Sequence, residues 1–164
     1  MSNKELLSSL FPDWGVNWAE VEEWEEAAEE EGERFDAGMK WDYCEEYASE
    51  IVEHSCEVAF KLGELGDEKA VKPLIKLLQG GIRQTVYSNV SELLDEFTFE
   101  DDSLAISAAA TALGKIGDER ATPPLIDILE RNNFDAEYDI LFSTVVALGL
   151  IGSKHAIEPL NKLF

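Results

Sequence analysis

Along this chain the apolar positions recur at steps of three and four residues, the spacing that puts one side of a helix against a neighbour. Cys44, Ala48, Ile51, Ser55, Val58, Ala59 and Leu62 share one broad face at about 100° per residue. Leu125, Ile126, Ile128 and Leu129 make a second stripe, and Val86, Val90, Leu93, Leu94 and Phe97 a third. Towards the N-terminus, Ser2 with Glu5 and Asn17 with Glu20 each pair a capping side chain with an acid three residues on, which satisfies free donors at a helix start. Trp18, Val21, Trp24 and Ala28 then form a narrow stripe among glutamates. Gly32 and Gly38 loosen the chain before another helix begins near Met39. The pattern predicts an all-α protein.

The C-terminal half repeats itself. Leu62-Gly63-Glu64-Leu65-Gly66-Asp67 followed by Pro73-Leu74 recurs as Leu113-Gly114-Lys115-Ile116-Gly117-Asp118 with Pro124-Leu125, and again as Leu148-Gly149-Leu150-Ile151-Gly152-Ser153 with Pro159-Leu160. Glycine and proline landmarks all keep the same offsets, 51 and then 35 residues. In each unit a small-residue helix ends at a glycine able to take the left-handed conformation. An Asp follows where its carboxylate can accept from free backbone N–H groups, and a proline sits in the first turn of the next helix, where its missing N–H costs nothing. Each unit is then a helical hairpin that cannot bury both its faces alone, and stacking the hairpins gives an α-α superhelix, a short solenoid.

The segment Ala112 to Leu129, Ala-Leu-Gly-x-Ile-Gly-Asp-x-x-Ala-x-x-Pro-Leu-Ile-x-x-Leu, resembles the HEAT-like repeat of the phycobilisome-lyase type. The resemblance covers about three units, at 50–78, 103–131 and 138–164. It implies an interaction scaffold, some relatives of which attach bilin chromophores. Many such repeats carry an Arg eight residues before the Leu-Gly glycine; the matching positions here are Ser55, Ile106 and Leu141. The resemblance also implies units of about 31 residues, so the first interval carries about 20 extra ones. These fall in 79–102 and predict an added helix starting after Gly80-Gly81. Residues 1–45 form an acidic, Trp-rich helical cap on the repeats of 46–164, within one structural domain. The aromatic set of that cap either seals the first repeat or docks a partner, since Trp is favoured at binding hot spots.

The 164 residues hold 35 acids against 13 Lys and Arg, a net charge of −22. Nucleic-acid binding is excluded on that balance, because affinity for phosphates rests on surplus cations releasing counterions. Residues 1–57 hold 18 acids and three bases; residues 58–164 hold 17 acids and ten bases. The sequence shows neither a signal-peptide core nor an apolar run of about 20 residues, so a cytoplasmic protein with no membrane partner is expected, its two cysteines reduced.

Glu46, Glu50, Glu53, Glu57 and Glu64 fall within an arc of roughly 60° opposite the apolar face of their helix. Only Lys61 is near enough to neutralise any of them, so the row would steer a basic partner, unless it is simply a solvated face. His54 and His155 lie in different repeats, and His54 and Cys56 point to opposite sides of one helix. No Gly-rich phosphate loop, nucleophile elbow or His-Glu-x-x-His occurs. The expectation is a non-catalytic scaffold with neither cofactor nor metal, binding a basic protein through Glu46, Glu50, Glu53 and Glu57, with Trp14, Trp18 and Trp24 as further candidates, as an inhibitor or immunity-type protein would. Its alternatives are a bilin lyase-like enzyme or accessory subunit, and a piece of a larger repeat assembly. Ile157, Leu160, Leu163 and Phe164 end the chain without a polar capping repeat, which points to a homodimer through the C-terminal repeat or a missing neighbour.

Overall fold

The computed structural model describes residues 2–11, 19, 21–23, 26, 37–90, 102–131 and 138–162. Trp14, Trp18 and Trp24, the Asn17 cap, and Leu93, Leu94 and Phe97 lie outside the described residues.

The helices are α1 (Asn3–Ser9), α2 (Ala37–Leu65), α3 (Val71–Leu78), α4 (Gly81–Val90), α5 (Ser103–Ile116), α6 (Thr122–Arg131), α7 (Tyr138–Ile151) and α8 (Ile157–Asn161). Short 3-10 turns at Glu68–Ala70, Glu119–Ala121 and Lys154–Ala156 join the two helices of each hairpin. The first helices, α2, α5 and α7, stack side by side in chain order. The second helices, α3, α6 and α8, pack along them as another layer. The described structure is an all-α, short solenoid with an N-terminal helical cap.

The left-handed glycine recurs in all three units, and the Asp cap in the first two. Gly66, Gly117 and Gly152 close α2, α5 and α7 with φ of 66°, 74° and 68°. Asp67 accepts from the Lys69 backbone N–H at 2.9 Å and Asp118 from that of Arg120 at 2.8 Å. Ser153, in the same register, makes no side-chain capping bond. Hydrogen bonds at these caps favour the ionised form and hold the carboxyls of Asp67 and Asp118 below the ordinary carboxylate range. At Asp118 the Arg120 side chain is the larger cause, and at Asp67 the Lys69 backbone N–H.

Stacking depends on a close approach at a second glycine. A methyl group on Gly63 would lie 2.7 Å from Cα of Ala112 in α5, and one on Gly114 would lie 2.7 Å from Cα of Ala147 in α7. Leu62 and Leu113 are fully buried beside these contacts and Leu148 nearly so. The positions where such repeats often carry Arg are filled otherwise. Ile106 and Leu141 pack against the core, and the buried Ser55 hydroxyl donates to the Leu10 carbonyl at 2.8 Å. Neighbouring units are tied at the turns instead, where the Arg120 guanidinium donates to the Glu68 carbonyl at 3.3 Å and grips Asp118 of its own turn.

The capping box expected at Ser2 and Glu5 is formed at the start of α1. That helix is held against the first repeat by its buried Leu6 and Leu10 and by the Asn3 amide, which donates to Asp67 at 2.8 Å. His54 Nε2 lies 3.1 Å from the Ser9 carbonyl. Since a carbonyl only accepts, that nitrogen carries the proton. Phe11 follows α1 and lies against Gly81, where a methyl group would come within 2.7 Å of its ring, with Lys76 Nζ 4.5 Å from the ring centroid. Within 79–102 the described residues hold α4, which begins directly after Gly80 (φ 84°) and buries Ile82, Val86 and Val90. α2 begins at Ala37, two residues ahead of Met39, and runs on without a break to Leu65.

Candidate functional site

The length of α2 sets out the acidic row. All seven residues assigned to its apolar face, Cys44, Ala48, Ile51, Ser55, Val58, Ala59 and Leu62, are buried, at 0 to 2 % exposure. Burying that face fixes the rotation of the helix. Glu46, Glu50, Glu53 and Glu57 are accordingly all exposed on the other side, one helical turn apart. Lys61 meets Glu57 at 3.4 Å, and both side chains are more than half exposed. Lys115 of α5 comes within 3.9 Å of Glu64. The spacing within α2 gives no hint of this second cation, because it arrives from the next repeat, across the stacked helices. Among the described residues no cation lies within ion-pair distance of Glu46, Glu50 or Glu53.

The row has an intrinsic cost. Glu46–Glu50, Glu50–Glu53 and Glu53–Glu57 are like-charge neighbours at three or four residues, each destabilising a helix by about 0.2–0.5 kcal/mol. The exposed Lys61–Glu57 pair recovers little of this, since exposed pairs contribute between about 0 and 1 kcal/mol.

Both cysteines are free thiols: Cys44 is buried and Cys56 half-buried. Burial pushes the Cys44 thiol up to about 11, and burial together with the nearby Glu53 carboxylate pushes Cys56 to about 11. Against the ordinary value of 9.0, that leaves about 100-fold less thiolate at pH 8, and the thiolate is the reactive form. Reaction with a disulfide reagent at pH 8 is therefore expected to be at least about 10-fold slower than for an unhindered cysteine, the scarcity of thiolate being partly offset by the greater nucleophilicity of a more basic thiolate. Glu53→Gln should speed Cys56 and leave Cys44 unchanged. Rates unaffected at Cys56 would show that the field of the row does not reach it.

Among the described residues no group of three or more His, Cys, Asp or Glu side chains is placed to hold a metal ion. His54 serves to hold α1, and His155 is exposed in the third turn, in register with Lys69 and Arg120. A shallow cleft of about 370 Å³ lies between α6 and that third turn. Glu119, Asp127, Glu130 and His155 line it around Ile126. Sequence reasoning missed this cleft, because its carboxylates sit on α6 and the turn before it while its far wall comes from the next unit. None of the described helices is long and apolar enough to cross a membrane.

The family model of the PBS lyase HEAT-like repeat matches residues 56–80 and 107–131. These segments run from the last turns of α2 through α3, and from the middle of α5 through α6. Each contains the close-approach glycine, the left-handed glycine and the capping Asp of its unit. The third unit keeps the same register of Gly149, Gly152 and Pro159 outside the matched segments. No curated protein matches the chain. Two tandem segments of the chain, on hairpins that stack one on the next, thus match the PBS lyase HEAT-like repeat.

Proposed function

We propose that this protein is a non-catalytic scaffold that binds a basic protein through the outer face of α2, masking it as an inhibitor or immunity-type protein would. HEAT-like repeats in general mediate protein interactions, and no membrane-crossing helix competes with that role among the described residues.

The observation that carries the reading is the row itself, which among the described residues has no cation within ion-pair distance of Glu46, Glu50 or Glu53. Three like-charge contacts along one helix are kept although alternating charges would stabilise it. A row of exposed carboxylates raises the local negative potential, accelerates encounter with a cationic surface and repels an acidic one. Glu46, Glu50, Glu53 and Glu57 are the contact residues of this proposal. Trp14, Trp18 and Trp24 belong to the same acidic end of the sequence and are the further candidates for apolar anchors.

The test is capture from the native host's extract by the tagged protein, quantified by mass spectrometry, alongside a variant with all four glutamates changed to lysine. Binding should select proteins of high isoelectric point, weaken steeply with added salt and disappear in the variant. A captured set that is neutral or acidic, or that persists in the variant, would refute the proposal.

A further inference from the structure

The acidic end accounts for one pole of the stack; the other pole is of different character. At Gly63 and Gly114 the missing side chain lets the next helix approach until its alanine backbone touches. Gly149 holds the same place in α7, and nothing lies within 4 Å of a methyl group built there. Around it Tyr138, Phe142, Val146 and Leu150 are 73, 60, 42 and 59 % exposed, and Ile157 of α8 is 57 % exposed. The first three align with Ser103, Ser107 and Thr111 of α5. α7 is thus more apolar than α5 on the side where a neighbour stacks, the reverse of a polar capping repeat.

We propose that this face binds a second copy of the same chain, α7 against α7, about a two-fold axis. Charge selects this occupant. Residues 138–164 carry Asp139 and Glu158 against Lys154 and Lys162, whereas residues 1–57 carry 18 acids and three bases. Two copies meeting at their C-terminal repeats join neutral faces and hold the acidic ends far apart. Head-to-tail stacking is closed at the other pole. The α2 positions in register with Ala105, Ala108 and Ala112 of α5 are His54, Glu57 and Lys61, and α1 lies over His54 and Ser55. A contact that uses the same patch on both partners is therefore the one left, and it closes at two. Gly149 lets the two helices cross at close range. The face is a single helix, about 21 Å long at 1.5 Å per residue, so the contact falls at the low end of interface sizes, below about 1,200 Å².

Sedimentation equilibrium from micromolar to submillimolar concentration tests this independently of the acidic row. The wild-type mass should rise from 18.3 kDa towards twice that value. Phe142→Glu/Val146→Glu should hold it at the monomer value, and Gly149→Leu should weaken association at least tenfold, with circular dichroism and melting temperature showing each variant folded. Glu50→Lys should leave the dimer intact. A monomer at every concentration, or a dimer that survives either α7 variant, overturns the proposal; neither result bears on capture of a basic protein by α2.

Discussion

Gly63→Ala and Gly114→Ala should each lower the stability of the fold by about 1–3 kcal/mol, the usual cost of forcing atoms into a packed interior, while Gly149→Ala should raise it by up to about 1 kcal/mol. The three glycines occupy the same position in three copies of one sequence pattern, and helix propensity favours alanine at all of them. Packing reverses the sign at two. A methyl group on Gly63 or Gly114 would meet Cα of Ala112 or Ala147 at 2.7 Å, and a backbone atom of the next helix cannot swing aside as a side-chain tip can. Relief requires α2 and α5, or α5 and α7, to separate, loosening the burial of Leu62 and Leu113. At Gly149 the space is open, so only the propensity gain remains. Urea denaturation of the three variants at low micromolar concentration decides the matter. Equal effects at all three positions would mean that the glycines serve helix geometry and not stacking.

That contrast also shows where the sequence was legible. The landmarks that build each hairpin are local, and Gly66, Gly117 and Gly152 adopt the left-handed conformation that their place after a helix requires. Asp67 and Asp118 cap the following turn as their spacing implies. Helical periodicity also fixed the rotation of α2, because a buried stripe of seven residues admits only one way of facing the core. The acidic row follows from that rotation with no further information. What the pattern did not carry is everything made between units. Lys115 reaches Glu64, Arg120 reaches the Glu68 carbonyl and Ser55 holds the end of α1, each across more than 40 residues of chain. The cleft walled by α6 and His155 is of the same kind. Such contacts depend on the offset between stacked hairpins, and one hairpin's sequence is blind to it.

The same offset gives the molecule its polarity. In α5 the face turned to the preceding repeat is lined with alanines, Ala105, Ala108 and Ala112; in α2 the corresponding positions are His54, Glu57 and Lys61. A helix carrying charges there can face water or a short amphipathic cap but cannot accept another repeat at close range. Growth of the array is therefore closed at the acidic pole and left open at the apolar one, in agreement with the rule that a stack of repeats needs an atypical, polar end.

Leu113→Ala should be the most damaging single truncation in the repeats, at about 2–5 kcal/mol for a buried leucine, a large part of the 5–15 kcal/mol that holds a domain together. Leu62, Leu113 and Leu148 share one position in register and all are buried to within 1 %. Only Leu113 belongs to a helix with a stacked neighbour on both sides. The tight contacts at Gly63–Ala112 and Gly114–Ala147 pin α5 from both directions, so the cavity has little freedom to collapse and the cost should lie in the upper half of the range. Stability in stacked repeats is close to a sum of unit and nearest-neighbour terms. Weakening the middle unit therefore uncouples the two ends, whereas Leu148→Ala should release α7 and α8 alone. Hydrogen exchange separates these outcomes: in Leu148→Ala the amides of α2 and α3 keep their protection, while in Leu113→Ala protection falls in α2, α5 and α7 together. If Leu148→Ala also strips protection from α2, the array unfolds as one cooperative block and the nearest-neighbour description does not hold for it.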